Sequence, residues 1–220
     1  LPDLVAETGF EAPFMMTEWG TIGYWEMEKT SWGTPVELTS SEKADVFLRA
    51  HNEVLAKFEG QLIGSYVFLW GQKQERTPTW FGMLTEAGEG TETIDVMHHI
   101  WTGTWPANRT PRVDSIRLDG KTHRQSVVLE SGETYDATLE VVDPEGDPLV
   151  YRWEVKPESE SNKTGGDREE SLPNLEGLLS GNDAASARIT APAPGKYRLF
   201  AYAYDGQGHA AHANIPFLVD

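Results

Sequence analysis

The chain has 220 residues, which is room for one large domain or two small ones. A complete (β/α)8 barrel needs about 250 residues, so a barrel enzyme with an added domain is excluded. Eighteen Lys and Arg against 35 Asp and Glu give a net charge of −17, so neither nucleic acid nor an anionic membrane is an expected partner. Cysteine is absent, which excludes disulfides, thiolate metal sites and cysteine nucleophiles.

The composition divides the chain into two parts. Seven of the eight tryptophans precede residue 106, and only Trp153 follows it. The segment 105–111 (WPANRTP) is typical of a linker. We therefore predict one domain over residues 1–108 and a second over 109–220.

The first part has alternating strand and helix signals. The apolar run 14–17 predicts a strand buried on both faces. Thr39 and Glu42 have the spacing of a capping box, and the helix that they begin is expected to stop at Gly60. The segment 62–70 predicts a second buried strand, and a last helix is expected from Glu92 to Gly103. This order predicts a parallel α/β unit.

The second part has only strand signals. Seven short strands separated by turns are expected over 114–118, 126–129, 135–142, 149–155, 187–191, 197–204 and 210–219. This spacing is typical of an immunoglobulin-like β-sandwich. The acidic segment 156–183 is interpreted as a long mobile insertion between strands.

The strongest chemical signal is Thr17-Glu18-Trp19-Gly20, at the carboxyl end of the first predicted strand. Ligands of parallel α/β folds bind at those strand ends. A glutamate there, beside tryptophan, suits a retaining glycosidase. Trp19 and Trp70 are candidates for stacking on a sugar ring, and Gln72 for hydrogen bonding its hydroxyls. The alternative is that Glu18 is an ordinary polar residue and that both tryptophans belong to the core.

The strings PFMMTEWG (13–20) and GSYVFLWG (64–71) resemble the last two β/α units of the (β/α)8 glycoside hydrolases that include β-galactosidases, β-glucuronidases and β-mannosidases. The resemblance covers about residues 10–105. It implies that Glu18 is the nucleophile and that Trp70 forms the floor of the sugar-binding subsite. The remainder is similar to immunoglobulin-like modules of bacterial carbohydrate enzymes, which implies a secreted or periplasmic protein, although residues 1–20 carry no signal peptide.

The family's acid/base glutamate, which usually follows an asparagine at the fourth strand, has no counterpart here. Glu75 is the nearest alternative, in the loop after Trp70. We therefore expect the C-terminal part of a retaining β-glycoside hydrolase that is inactive by itself and acts on a β-glycan or β-glycoside. Two alternatives stay open: a non-catalytic carbohydrate-binding or spacer module, and a structural protein that completes its sheet with another chain.

Two further expectations follow from the same residues. Two β/α units leave apolar strand surface at Phe14, Met15, Phe68 and Leu69, so self-association or docking of a missing barrel portion or of the sandwich is expected. Two acidic turns provide oxygens for calcium, and no other cofactor is expected. Their carboxylates are those of Asp143, Glu145, Asp147 and Asp205, and a plain solvated acidic surface is the alternative.

Overall fold

A computed structural model describes residues 2–58, 60–161, 163 and 167–220. Three helices and eleven strands are formed by the described residues. The helices are α1 (Pro2–Glu7), α2 (Ser40–Glu53) and α3 (Glu92–Thr102). The strands are β1 (Phe14–Gly20), β2 (Leu62–Phe68), β3 (Arg112–Leu118), β4 (Lys121–Thr122), β5 (Val127–Leu129), β6 (Thr134–Val142), β7 (Val150–Pro157), β8 (Leu179–Ser180), β9 (Ser186–Thr190), β10 (Gly195–Tyr204) and β11 (Ala210–Val219).

The predicted fold class, an α/β partial barrel segment followed by an immunoglobulin-like sandwich, is wrong. Strand residues make up 35% of the chain and helical residues only 16%, and the described strands form three sheets of two, four and five strands. In the two-stranded sheet, β1 and β2 pair only with each other, so no ring of strands forms. The structure is mainly β and contains a β-sandwich.

The local predictions for the first part are confirmed in several details. The Thr39 hydroxyl accepts the Glu42 amide hydrogen, and the Glu42 carboxylate accepts that of Thr39, which completes the capping box. The helix α3 ends at Gly103, whose φ of 76° is left-handed. However, α2 stops at Glu53 and a 3-10 turn over Leu55–Phe58 follows.

The sheet of β1 and β2 is parallel but is not buried on both faces. One face packs on α2 and α3, where Trp19 and Val67 contact the buried cluster around Phe47 and Met97. The other face carries exposed side chains, and neither strand has a further strand partner at its edge among the described residues. Met15, Ile63 and Tyr66 are exposed large side chains of these strands.

The sandwich packs the sheet β5-β11-β10-β7 against the sheet β4-β3-β6-β9-β8. All seven predicted strands are present, with β4 and β8 as short additions. Alternate residues point into one shared core. Trp153 is buried there, and its Nε1 donates to the Ala184 carbonyl at 2.9 Å.

The acidic insertion is anchored at both ends. Glu158 and Ser159 are buried, and the Leu175 amide donates to the Val155 carbonyl at 2.7 Å. The strand β8 pairs with β9. The centre of the predicted mobile insertion, residues 162 and 164–166, lies outside the described part of the chain.

The first part packs on the outer surface of the β10–β11 pair. Burial of side chains on both faces of β11 follows from this contact. The Ser40 hydroxyl accepts the His212 amide hydrogen at 3.0 Å, and the Ser41 hydroxyl accepts that of Val113 at 2.8 Å. The linker is held as well, since the Thr110 amide donates to Asp95 at 2.7 Å. These contacts leave the open face of β1 and β2 uncovered.

No helix in the described part of the chain is both long and apolar enough to cross a membrane.

Candidate functional site

Glu18 lies on an exposed segment of β1. The pairing with β2 has a bulge between Met16 and Trp19, and Glu18 is inside it. Its side chain is exposed. At Gly20, just beyond, a Cβ atom would lie 2.3 Å from the Phe68 carbonyl oxygen. Only glycine allows the two strands to approach this closely, so the sequence string itself fixes the end of the strand pair.

Trp19 belongs to the packed side of the sheet. Its ring lies 5.6 Å from that of Phe47 on α2, within the cluster that α2 and α3 bury. Its Nε1 is buried and has no hydrogen-bond partner among the described residues. The predicted sugar-stacking residue Trp19 is therefore separated from the exposed Glu18 by the plane of the sheet.

Trp70 lies two residues after the end of β2 and is 55% exposed. The indole of Trp101, which is 63% exposed, lies beside it with ring centroids 5.8 Å apart and planes at 30°. Trp101 was missed by sequence reasoning because its helical spacing with Ile94 and Met97 indicates a shared helix face but not whether that face is exposed. Its place in the last turn of α3, just before Gly103, is the one signal of exposure that the sequence offered.

Gln72 and Glu75 are both engaged within the loop after β2. The Gln72 Nε2 donates to the Pro78 carbonyl at 3.0 Å. Glu75 is 8% exposed, and its carboxylate forms an ion pair with Lys73. Among the three carboxyl and amide groups predicted at these strand ends, only Glu18 is exposed and without such a partner in the described structure.

A buried polar cluster supports the loops at this edge, and sequence reasoning missed it. The Glu37 carboxylate accepts hydrogen bonds from Lys43 Nζ at 2.6 Å, from the hydroxyls of Thr77 and Thr79, and from Asn214 Nδ2 at 2.7 Å. Burial raises the pKa of Glu37, but Lys43 and the other nearby cations outweigh it and hold the pKa at about 2. The cluster joins the loop before α2, the loop after β2 and the strand β11.

The two acidic turns of the sandwich meet beside the linker. Single carboxylate oxygens of Asp143, Asp147 and Asp205 lie within 4.8 Å of one another. Glu145 is directed elsewhere, because its Oε2 accepts the Arg109 amide hydrogen at 2.9 Å. The structure thus brings together three of the four predicted calcium ligands.

The hydrogen bonds of these turns leave an oxygen free. Asp143 Oδ1 accepts the amide hydrogens of Glu145 and Asp147, whereas its Oδ2 is buried without a described partner. Asp205 is buried and accepts from Asn108 Nδ2 at 2.8 Å and lies 2.7 Å from His209 Nδ1. An orphaned carboxylate oxygen among three acidic groups fits a hard divalent cation.

Comparison with known proteins gives little further information. No family model and no curated protein matches this chain. Among solved structures, the soluble domain of PmoD from Methylocystis sp. strain Rockwell is similar with 10% identity and a TM-score of 0.28, over 53% of this chain and 95% of that domain.

Proposed function

We propose that this chain binds carbohydrate through Trp70 and Trp101 and that it does not hydrolyse glycosides by itself. The observation that carries the proposal is the pair of exposed indoles 5.8 Å apart, that of Trp70 in the loop after β2 and that of Trp101 in the last turn of α3. Large aromatic rings left exposed in one patch mark interaction sites more often than chance. The faces of such rings are suited to the C–H surface of a pyranose.

The lack of turnover follows from the carboxylates. Retaining hydrolysis needs a nucleophile and an acid/base group about 5–5.5 Å apart. Glu18 is exposed, but Glu75 is buried and paired with Lys73. In our proposal Glu18 is the nucleophile only within a longer, secreted or periplasmic β-glycoside hydrolase. The exposed Met15, Ile63 and Tyr66 then contact the rest of that enzyme or a second copy of the chain.

Calorimetric titration with β-linked oligosaccharides tests the binding site. We expect Trp70→Ala and Trp101→Ala each to lower the affinity about tenfold or more, because each removes an exposed aromatic anchor. Val150→Ala, which truncates an exposed apolar residue of β7, is the control and should bind normally. Equal affinity of all three variants would contradict the proposal. So would steady turnover of aryl β-glycosides by the chain that disappears in Glu18→Gln.

Calcium binding by the sandwich is a second candidate, favoured by the orphaned Oδ2 of Asp143. Asp143, Asp147 and Asp205 would hold the ion, and the ion would offset the repulsion among three neighbouring carboxylates. Because Asp205 also accepts from Asn108 of the linker, the ion would join the acidic turns to the junction between the two parts.

Thermal melting in EDTA and in excess calcium tests this candidate. Ligand at about 100 times its Kd stabilises a protein by about 2.7 kcal/mol, so we expect calcium to raise the Tm by about 5–10 °C in a chain of this size. Asp147→Asn should abolish the response. Glu145→Gln is the matched control, because Glu145 faces the Arg109 amide instead, and it should keep the response. The same Tm in EDTA and in excess calcium would contradict this candidate and would show that the two turns are solvated acidic surface.

A further inference from the structure

A cleft separate from the Trp70–Trp101 pair lies between the loop after β1 and the loop after β2. Its volume is about 270 Å³, close to the lower end of the range for small-molecule sites, about 300–1,000 Å³. It suits one sugar residue rather than an oligosaccharide. The lining residues are Tyr24, Trp25, Lys29, Gly33, Pro35, Arg76 and Ser161, and we call it the Trp25 cleft.

The aromatic wall of this cleft is the exposed indole of Trp25, which contacts neighbouring aromatic side chains. Trp25 is 62% exposed, and its ring passes so close to Gly23 that a Cβ there would lie 2.4 Å away. The ring of Tyr24 meets it edge-on at 4.9 Å, and the ring of Phe81 lies 6.3 Å away. The indole is thereby held by neighbouring aromatic rings while most of its surface stays accessible to a ligand.

The polar wall of the cleft carries positive charge. Lys29 is exposed, and Arg76 lies in the loop after β2 with a left-handed φ of 64°. The Arg76 amide donates to Glu169 at 2.9 Å, and its Nε lies 3.3 Å from Glu158. The Arg76 Nε makes no hydrogen bond to another described residue, and the side chain lines the cleft with 18% of its surface exposed.

The carboxylates near Arg76 are already paired. Glu158 accepts two hydrogen bonds from the buried Arg198, and Glu75 pairs with Lys73. Glu169 accepts from the Ser159 hydroxyl at 2.6 Å as well as from the Arg76 amide. The lining set contains two cations and no acidic residue. In a chain of net charge −17, a cleft wall with cations and no carboxylate favours an anionic ligand over a cationic one.

The remaining groups are hydrogen-bonding hydroxyls. Burial, followed by the charge of Glu75, raises the pKa of Tyr24, so the phenol is protonated at neutral pH and is available to donate. Ser161 adds a second hydroxyl on the opposite loop. An apolar ring face, a guanidinium and hydroxyl donors together match a pyranose that carries a carboxylate.

We infer that the Trp25 cleft binds the uronic acid residue of an acidic glycan. The pyranose stacks on Trp25, its carboxylate pairs with Arg76 and Lys29, and Tyr24 and Ser161 bond to its hydroxyls. Guanidinium and carboxylate match in geometry and form charge-assisted hydrogen bonds. This inference rests on the proposed carbohydrate-binding function and adds the chemical class of the ligand.

Titration of the whole chain with methyl β-D-glucuronide, methyl β-D-galacturonide and the neutral methyl β-D-glucoside tests the inference. We expect at least one uronide to bind about tenfold or more tightly than the glucoside, since a charge-assisted pair is stronger than a neutral contact. Lys29→Gln, Arg76→Gln and Trp25→Ala should each weaken uronide binding. The change at Lys29 is on the surface and leaves the fold intact, so it remains informative if Arg76→Gln unfolds. Lys121→Gln, in the sandwich, is the matched control and should bind normally.

Three results would overturn the inference. The first is equal binding of glucuronide, galacturonide and glucoside. The second is acetate binding as tightly as the uronides, because the ring would then contribute nothing. The third is uronide binding that is lost in Trp70→Ala but kept in Trp25→Ala. In that last case the proposed carbohydrate-binding function stands, whereas it fails separately if no glycan binds at Trp70 and Trp101.

Discussion

Arg198→Met is expected to lower the free energy of unfolding by about 3–5 kcal/mol. Arg198 is 1% exposed on β10. Its Nε and Nη2 donate to both oxygens of Glu158, Nη1 donates to Asn214 at 2.7 Å, and Nη2 also donates to the Pro35 carbonyl at 2.9 Å. Methionine fills much of the volume, but it removes both guanidinium hydrogen bonds from the buried Glu158, which keeps only the 3.3 Å contact with Arg76 Nε. It also leaves the buried Asn214 Oδ1 without its donor.

Urea denaturation measures this effect, and Arg188→Met is its matched control. Arg188 on β9 pairs with Asp136, but both side chains are mostly exposed. Pairs of that kind contribute about 0–1 kcal/mol, so the control should shift the midpoint little. Similar shifts of the urea midpoint in both variants, with an unchanged m value, would contradict the prediction. The buried Arg198 contacts would then stabilise the protein no more than an exposed ion pair does.

Stability is expected to fall in two stages as the solution is acidified. Burial and the charge of Lys43 lower the pKa of His212 from its ordinary 6.5 to about 3. Below about pH 6.5, His212 therefore binds a proton in the unfolded chain, whereas in the folded chain it stays neutral until the pH approaches 3. Stability present above that pH is lost at about 1.4 kcal/mol per pH unit as the pH falls.

The second stage involves carboxylates. The pKa of Glu37 and that of Glu42 are each held at about 2, although burial alone would raise them. The positive charge of Lys43 lowers the pKa of Glu37, and hydrogen bonds from His123 and Arg124 lower that of Glu42. In each case the lowering exceeds the rise that burial causes. The stability from these groups is complete above their ordinary pKa of 4.5 and is lost between about pH 4.5 and 2. Two stages add, so the steepest loss is expected below pH 4.5.

Urea midpoints from pH 8 to pH 3 for the wild type and for His212→Gln separate the two stages. At pH 8, where His212 is neutral in both the folded and the unfolded chain, the difference in midpoint between the variant and the wild type measures only the lost packing of the side chain. Between pH 6.5 and 4.5 the variant should lose stability less steeply than the wild type, and below pH 4.5 both should fall. Parallel curves over the whole range would show that His212 is not the group that resists protonation.

Local signals of the sequence were sufficient where short-range interactions decide the structure. The capping box of Thr39 and Glu42, the stop at Gly103 and the seven longer sandwich strands were all predicted, because each depends on neighbours within a few residues. Alternation and turn residues mark a strand without reference to its partner. The same signals assigned the strand 62–70 but not what would cover it.

The prediction of the fold class failed because the burial of a strand depends on which other elements pack against it. The apolar runs of β1 and β2 predicted strands covered on both faces, yet β1 and β2 have no other strand partner in the described structure, and Met15 and Ile63 are exposed. Trp101 was not identified for the same reason, since helical spacing cannot tell a core position from an exposed one at a helix end. Periodicity reports which side chains share a face, not what lies against that face.

By itself, the sequence determined the acidic, cysteine-free character of the chain and the boundaries of most elements. Only the tertiary structure decided which side chains meet. Glu37 bonds with Asn214 across 177 positions, Arg198 with Pro35 across 163 and Arg76 with Glu169 across 93. Contacts at such separations depend on how the loops after β1 and β2 pack on the sandwich. No local pattern encodes that packing, because it is set by the shape and charge of surfaces that exist only after folding.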